Sequence, residues 1–345
     1  SDVCSSDLWP LLDPWRTLFD LLNGAGRILG VKRGIALDLA WPQALALYPA
    51  LLLLLTWSWL EVVNPIALVP YKLGCVMLAW TVIQLMGMTL YGRGVWQSRA
   101  DVFAVYFAML GRLGRFRFEA TTTHVGFSFV GFILAMLSTV LFDGLLNSPA
   151  WTTIEAGLIY LLPSAMAKAS YMVGTLGMLL LWLLFIGGYY FSCYAAVRAM
   201  PRGSEDTNST QQLADTLAPS LIPIAAAYLL AHNFSSLIIQ GQNFMFLISD
   251  PFAWGWNLLG TRDFQPNIGL IDAKLTWYIA IVAIVAGHVW AIWLGHQAAL
   301  SITEKKTKGI QAAMDAVTLT FPLTILMVLF TMLSLIILAE PLTKS

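Results

Sequence analysis

The chain has 345 residues, of which 58% are hydrophobic and 11% are charged, and its formal net charge at pH 7 is zero. A soluble domain has roughly 25% charged residues, so this composition excludes an ordinary soluble protein. The balanced charge argues against a nucleic-acid partner, and the three cysteines show no disulfide framework. We expect the lipid bilayer to be the main partner.

The first residues do not read as natural sequence. Residues 3–8, Val-Cys-Ser-Ser-Asp-Leu, match the translation of a common sequencing adapter. We therefore expect residues 1–8 to be an artefact and the natural start to be missing. In that case the lack of a signal peptide carries no information.

Seven apolar stretches predict membrane-spanning helices, because each approaches or exceeds the roughly 20 residues that cross a bilayer. The predicted spans are 43–60, 68–91, 125–146, 173–197, 217–240 (with an extension to 248 left open), 275–300 and 316–339. We predict an all-α, polytopic membrane helical bundle. Residues 9–42 would form a cytoplasmic N-terminal segment, residues 43–339 one transmembrane domain, and residues 340–345 a C-terminal tail.

The distribution of Lys and Arg predicts the orientation, since cytoplasmic loops carry the excess of positive charge. Fourteen of the 19 basic residues lie before the first span or after the second, fourth and sixth spans. The N-terminus is therefore predicted in the cytoplasm and the C-terminus outside. Between spans, we expect residues 101–113 to lie along the cytoplasmic surface, 154–166 to form an interfacial or re-entrant helix, and 203–212 to form a loop.

A polar stripe inside the fifth predicted span is the strongest functional signal. Tyr228, His232, Ser236 and Gln240 recur every four residues and so share one helical face. Polar side chains within a bilayer usually face a bundle interior or a cavity. We expect the stripe to line a polar site in which Ser236 and Gln240 orient a substrate. Gly241 either breaks the helix or marks its end.

Two groups on other spans are candidates for the same site. His288 lies in the sixth span and Asp143 near the outer end of the third. A carboxylate and two imidazoles suit a divalent metal ion, so we predict His232, His288 and Asp143 as metal ligands, with Asp143 also a general base. Depths in the membrane, counted at ~1.5 Å per residue from the outer end of each span, favour a His232–His288 pair over a set that includes Asp143. Alternatively, these groups only fix helix packing. His124 and His296 are weaker candidates.

Several motifs follow one another along nearly the whole chain. They are Asp-Pro-Trp-Arg at 13–16, Asp-Val-Phe-Ala-Val-Tyr-Phe at 101–107, Ser-Thr-Val-Leu-Phe-Asp-Gly at 138–144, Ala-His-Asn-Phe-Ser at 231–235, Gln-Gly-Gln at 240–242, Asp-Pro-Phe-Ala-Trp-Gly-Trp-Asn-Leu-Leu-Gly-Thr at 250–261 and Gly-His-Val at 287–289. Together they resemble the fenitrothion hydrolase-like family of multi-pass bacterial membrane proteins. The chain departs from that family at Gln297, where the family has an Asp. The resemblance implies an inner-membrane location and hydrolysis of an organophosphate triester.

The leading hypothesis is therefore a metal-dependent organophosphate-ester hydrolase-like enzyme with a small apolar or ester substrate. A membrane transporter or metal-ion permease is the first alternative, with the stripe as an ion or proton path. A b-type haem protein with His232 and His288 as axial ligands is the second. A subunit of a homo- or hetero-oligomer also remains open.

Overall fold

The computed structural model describes residues 9–30, 34–111, 113, 126–161, 169–200, 210–261, 264–304 and 308–339. These residues form helices and connecting turns and contain no β-strand, which confirms the all-α prediction. The artefact expected at 1–8, the tail at 340–345, most of the loop at 203–212, and His124 lie outside the described residues.

Within these ranges, seven helices are long and apolar enough to cross a membrane, and each corresponds to one predicted span. They are Gln43–Val63, Pro70–Tyr91, Phe127–Leu146, Tyr171–Ala199, Thr210–Gln240, Ala273–Thr303 and Ile310–Ile337. Seven such helices indicate a multi-pass membrane protein. The orientation of the termini stays a prediction.

The α-helices are numbered in chain order. They are α1 Trp9–Leu12, α2 Pro14–Ile28, α3 Tyr48–Ser58, α4 Pro70–Tyr91, α5 Arg93–Arg99, α6 Val102–Gly111, α7 Phe127–Leu146, α8 Pro149–Leu161, α9 Ala169–Ala199, α10 Thr210–Leu217, α11 Ile222–Gln240, α12 Asn243–Ser249, α13 Ala273–Thr303 and α14 Ile310–Ala339. A π-helical stretch, Trp59–Val63, continues α3. Turns of 3₁₀ helix occur at Gln43–Leu45, Pro65–Leu68, Ala218–Leu221 and Ile268–Leu270.

Helix α7 lies at the centre of the bundle. It contacts α3, α9, α11 and α14, and Phe129, Phe132 and Leu134 are fully buried along it. A helix that is apolar on every side is suited to such a position. Close approach is helped by Gly131, whose carbonyl accepts a hydrogen bond from Trp182 Nε1 of α9 at 3.1 Å. The space on the N-terminal side of Asp143 is therefore filled by tight apolar packing.

Helix α6 covers most of residues 101–113, and the prediction that this segment lies along the cytoplasmic surface stays a prediction. Helix α6 is packed against α3, α5 and α11, and Val102 is 2% exposed. The ring of Phe103 contacts Trp57 of α3 at 5.0 Å and Trp80 of α4 at 6.1 Å between centroids. Phe107 of the same helix is 38% exposed, so α6 buries only part of its surface in the bundle.

The segment preceding the first span also contributes to the bundle. Helix α2 packs on α4, where Trp15 Nε1 donates a hydrogen bond to Thr81 Oγ1 at 3.1 Å. An ion pair of 2.6 Å joins Asp20 of α2 to Arg93 at the start of α5. Residues 9–42 therefore include a helix docked against the predicted transmembrane domain.

Candidate functional site

The structure brings Asp143 of α7 and His232 of α11 into direct contact. Asp143 Oδ2 lies 2.7 Å from His232 Nε2. The two side chains remain 38% and 24% exposed, so the pair is open to a small molecule. The depths predicted from the sequence favour His288 as the partner of His232. The structure shows Asp143 in contact with His232 instead.

Gly144 permits this contact by letting α11 approach α7 closely. A Cβ atom added at Gly144 would lie 2.8 Å from the Tyr228 hydroxyl and 3.2 Å from Ile337 Cγ2. The same position is 3.8 Å from His232 Nδ1. The Tyr228 and His232 rings are parallel to within 6°, with centroids 6.2 Å apart, so these two residues share one helical face as predicted. Small residues are a general means of bringing membrane helices together.

The pair has the arrangement of an acid–base centre. A neutral imidazole has one donor and one acceptor nitrogen. If His232 Nε2–H donates to the Asp143 carboxylate, Nδ1 keeps its lone pair, and this nitrogen makes no hydrogen bond in the described part of the chain. Tyr228 is within electrostatic range of Asp143. The site therefore presents one proton acceptor and one neighbouring hydroxyl donor.

Glu61 is a site residue that the sequence reasoning missed. It lies in the π-helical stretch after α3, where its carboxylate is within electrostatic range of Asp143 and His232 and lies near the Trp57 side chain. Tyr106 of α6 is in turn within range of Glu61. The available signal was a lone carboxylate at the end of an apolar span, but it fell just beyond the predicted boundary at residue 60. Single π-helical turns are frequent at functional sites.

His288 is held apart from the pair. It is 5% exposed, its Nδ1 hydrogen-bonds to the Ile284 carbonyl at 2.8 Å, and its Nε2 is buried without a partner among the described residues. A Cβ atom added at the adjoining Gly287 would lie 2.4 Å from Ala227 Cβ. The residue before His288 therefore meets α11 at Ala227, more than one helical turn before His232.

The predicted substrate-orienting residues lie further along α11. Ser236 is exposed, and Gln240 Oε1 accepts a hydrogen bond from Asn243 Nδ2 at 2.8 Å. Among the described residues, neither forms a hydrogen bond with Asp143 or His232, and their roles stay predictions. Of the two alternatives for Gly241, the structure shows an interruption: α11 ends at Gln240, and α12 begins at Asn243.

Among the described residues, no group of three or more His, Cys, Asp or Glu side chains could hold a metal ion. His232, His288 and Asp143 therefore do not form one metal-binding group there. Individual roles in binding a divalent metal or haem stay predictions. His296 is half-buried on α13, and its neighbour Gly295 faces Ser220.

No protein-family model, curated protein or solved structure matches this chain. The resemblance to the fenitrothion hydrolase-like family therefore stays a prediction. The fold and the site together define a multi-pass helical membrane protein with a carboxylate–imidazole pair at one end of its central helix.

Proposed function

We propose that this protein is a membrane-embedded hydrolase-like enzyme in which the Asp143–His232 pair activates water for attack on a small, neutral ester. The observation that carries the proposal is the 2.7 Å contact between Asp143 Oδ2 and His232 Nε2 in a partly exposed site. A positioned imidazole with a free nitrogen is the commonest general base in enzymes. A carboxylate behind it fixes the tautomer and stabilises the imidazolium that forms.

The proposed reaction uses residues that meet at Gly144. His232 Nδ1 removes a proton from water while the water oxygen bonds to the carbonyl carbon or phosphorus of the ester. The bond to the leaving oxygen then breaks, and His232 returns the proton to that oxygen. The Tyr228 hydroxyl, which lies beside His232, is the candidate donor to the developing oxyanion. Water is consumed, and the products are an acid and an alcohol.

The charges around the site favour a neutral substrate. Asp143 and Glu61 are both carboxylates, and no described Lys or Arg forms an ion pair with either of them. Like charge repels an anionic phosphate monoester or diester. A triester or a carboxylic ester carries no charge and can enter from lipid, which agrees with the activity that the family resemblance implies.

The packing of α7 favours an enzyme over a transporter or permease. A transport path must connect both membrane faces, but the helix on the N-terminal side of Asp143 is surrounded by buried apolar side chains. Phe129, Phe132 and Phe142 are each 0% exposed. The Asp143–His232 pair is thus partly exposed near the C-terminal end of α7, and apolar packing closes the bundle on its N-terminal side.

The test is hydrolysis of neutral chromogenic carboxylic esters and aryl phosphotriesters by purified protein in lipid nanodiscs. We expect His232→Ala to lower kcat/KM by ~10²–10⁴-fold, the usual contribution of a general base. His296→Ala, on α13 and outside the pair, is the matched control and should keep full activity. Equal activity in wild type and His232→Ala would refute the proposal. Loss of wild-type activity with a chelator would restore the metal-dependent hypothesis.

A further inference from the structure

Two helical segments in the first third of the chain are interrupted, and each interruption has a buried aspartate. Asp13 separates α1 from α2, and Asp101 separates α5 from α6. Both residues are 0% exposed. Because a buried carboxylate is costly unless it is paired, hydrogen-bonded or neutralised, the partners of these two groups determine their charge state.

One oxygen of each aspartate caps the helix that follows. Asp13 Oδ1 accepts hydrogen bonds from the backbone N–H groups two and three residues later, at 3.0 and 3.1 Å. Asp101 Oδ1 does the same at 3.0 and 3.2 Å. Capping accounts for the presence of Asp at both interruptions, but it involves only the Oδ1 atom of each carboxylate.

The two remaining oxygens have different surroundings. Asp13 Oδ2 accepts a hydrogen bond from Gln97 Nε2 at 2.7 Å. Asp101 Oδ2 is buried and has no hydrogen-bond partner in the described part of the chain. Buried polar atoms are nearly always satisfied, so this oxygen is the least stabilised of the four when the carboxylates are charged.

Among the described residues, no Lys, Arg or His side chain forms an ion pair with Asp13 or Asp101. Asp13 acts on Asp101 with a like charge. Arg16 and Arg99 are close in sequence, but neither forms an ion pair with the aspartates in the described structure. Other titratable or charged side chains on the surrounding elements are Asp20 and Arg93, which pair with each other, Arg27 of α2, Tyr71, Lys72, Cys75 and Tyr91 of α4, Tyr48 of α3, Glu61 of the π-helical stretch, Tyr106 of α6, and Tyr228 and His232 of α11.

We propose that Asp13 and Asp101 form a proton-binding site, in which Asp101 takes up one proton at its unpaired oxygen under mildly acidic conditions. The pair then carries one negative charge instead of two, and Oδ2 becomes a hydrogen-bond donor. Burial and the like charge of Asp13 support this assignment, because they raise the pKa of Asp101 from 3.8 to about 6 against the opposing effect of its backbone hydrogen bonds.

A neighbouring cavity brings open space close to both aspartates. It has a volume of about 620 Å³ and lies between α1 and the α5–α6 segment. Gln97 and Ala104 are among its lining residues. Gln97 donates to Asp13, and the backbone N–H of Ala104 donates to Asp101, so both aspartates are one hydrogen bond from a residue that lines the cavity.

Proton uptake at Asp101 acts on the helix that adjoins the candidate catalytic site. Charged caps hold a helix N-terminus more strongly than neutral ones. Protonation therefore weakens the anchoring of α6, whose Phe103 contacts Trp57 and whose Tyr106 lies near Glu61. This proton-binding site stands on its own geometry and does not require the proposed hydrolase activity.

The experiment is infrared difference spectroscopy on the purified full-length protein, titrated between about pH 8 and about pH 5. We expect the C=O stretch of a protonated carboxyl group to appear with a midpoint near pH 6. Asp101→Asn keeps a capping side chain and should remove the band. Asp20→Asn changes an exposed carboxylate outside the site and should leave the band in place.

Asp13→Asn provides a second test that does not depend on the Asp101 variant folding. Removing the like charge should move the Asp101 midpoint to lower pH. A band that persists at full intensity in Asp101→Asn, or a midpoint that Asp13→Asn leaves unchanged, would overturn the proposal. Absence of the band from the wild type would overturn it as well.

Discussion

The contact between α7 and α11 at Gly144 makes a quantitative test of the proposed site. In Gly144→Ala, the new methyl group would lie 2.8 Å from the Tyr228 hydroxyl and 3.2 Å from Ile337 Cγ2. Normal contact is about 3.5–4.0 Å between carbons, so Tyr228 or the helix itself must move by several tenths of an ångström. Overpacking of this kind costs about 1–3 kcal/mol. Displacement of catalytic groups by about 1 Å can cost 10²-fold in rate.

The assay combines thermal unfolding in detergent with ester hydrolysis by the same preparation. Gly144→Ala should unfold at a lower temperature and lose activity by roughly 10- to 100-fold, within the range given by misplacement. Gly187→Ala in α9 is the matched control, because nothing lies within 4 Å of the added methyl group. In the double variant Gly144→Ala/Tyr228→Phe, removal of the clashing hydroxyl should make the stability loss smaller than the sum of the single losses. Wild-type stability and activity in Gly144→Ala would refute the described contact.

Two further predictions concern buried or partly buried acids. Glu61→Gln should lower kcat/KM by less than Asp143→Asn does, because it removes a nearby charge but leaves the carboxylate–imidazole contact intact; side-by-side kinetics check this, and an equal or larger loss would contradict it. For Asp101, the pKa of about 6 in the folded protein lies above the ordinary value of 3.8, so its contribution to folding stability is fully present below pH 3.8 and is lost as the pH rises through 6. At about 1.36 kcal/mol per pKa unit, this amounts to roughly 3 kcal/mol. Unfolding measured across this window should show a smaller pH dependence in Asp101→Asn than in wild type, and parallel profiles would contradict the assignment.

The sequence by itself determined the class of protein and the helices that build it. All seven predicted spans correspond to apolar helices, because the length needed to cross a bilayer and the preference for apolar side chains are properties of each segment alone. It also determined that Tyr228 and His232 share a face of α11, since the helical period places residues four apart on one side.

Only the tertiary structure decided which groups meet. Depths counted along spans that are treated as perpendicular to the membrane pair His232 with His288. Helices tilt and rotate according to their contacts, and the close approach at Gly144 places Asp143 beside His232 instead. Glu61 was also missed by the sequence prediction. It lies in the π-helical stretch that continues α3, just beyond the predicted end of the span. Periodicity specifies the faces of each helix, and the packing of small residues between helices selects which faces come together.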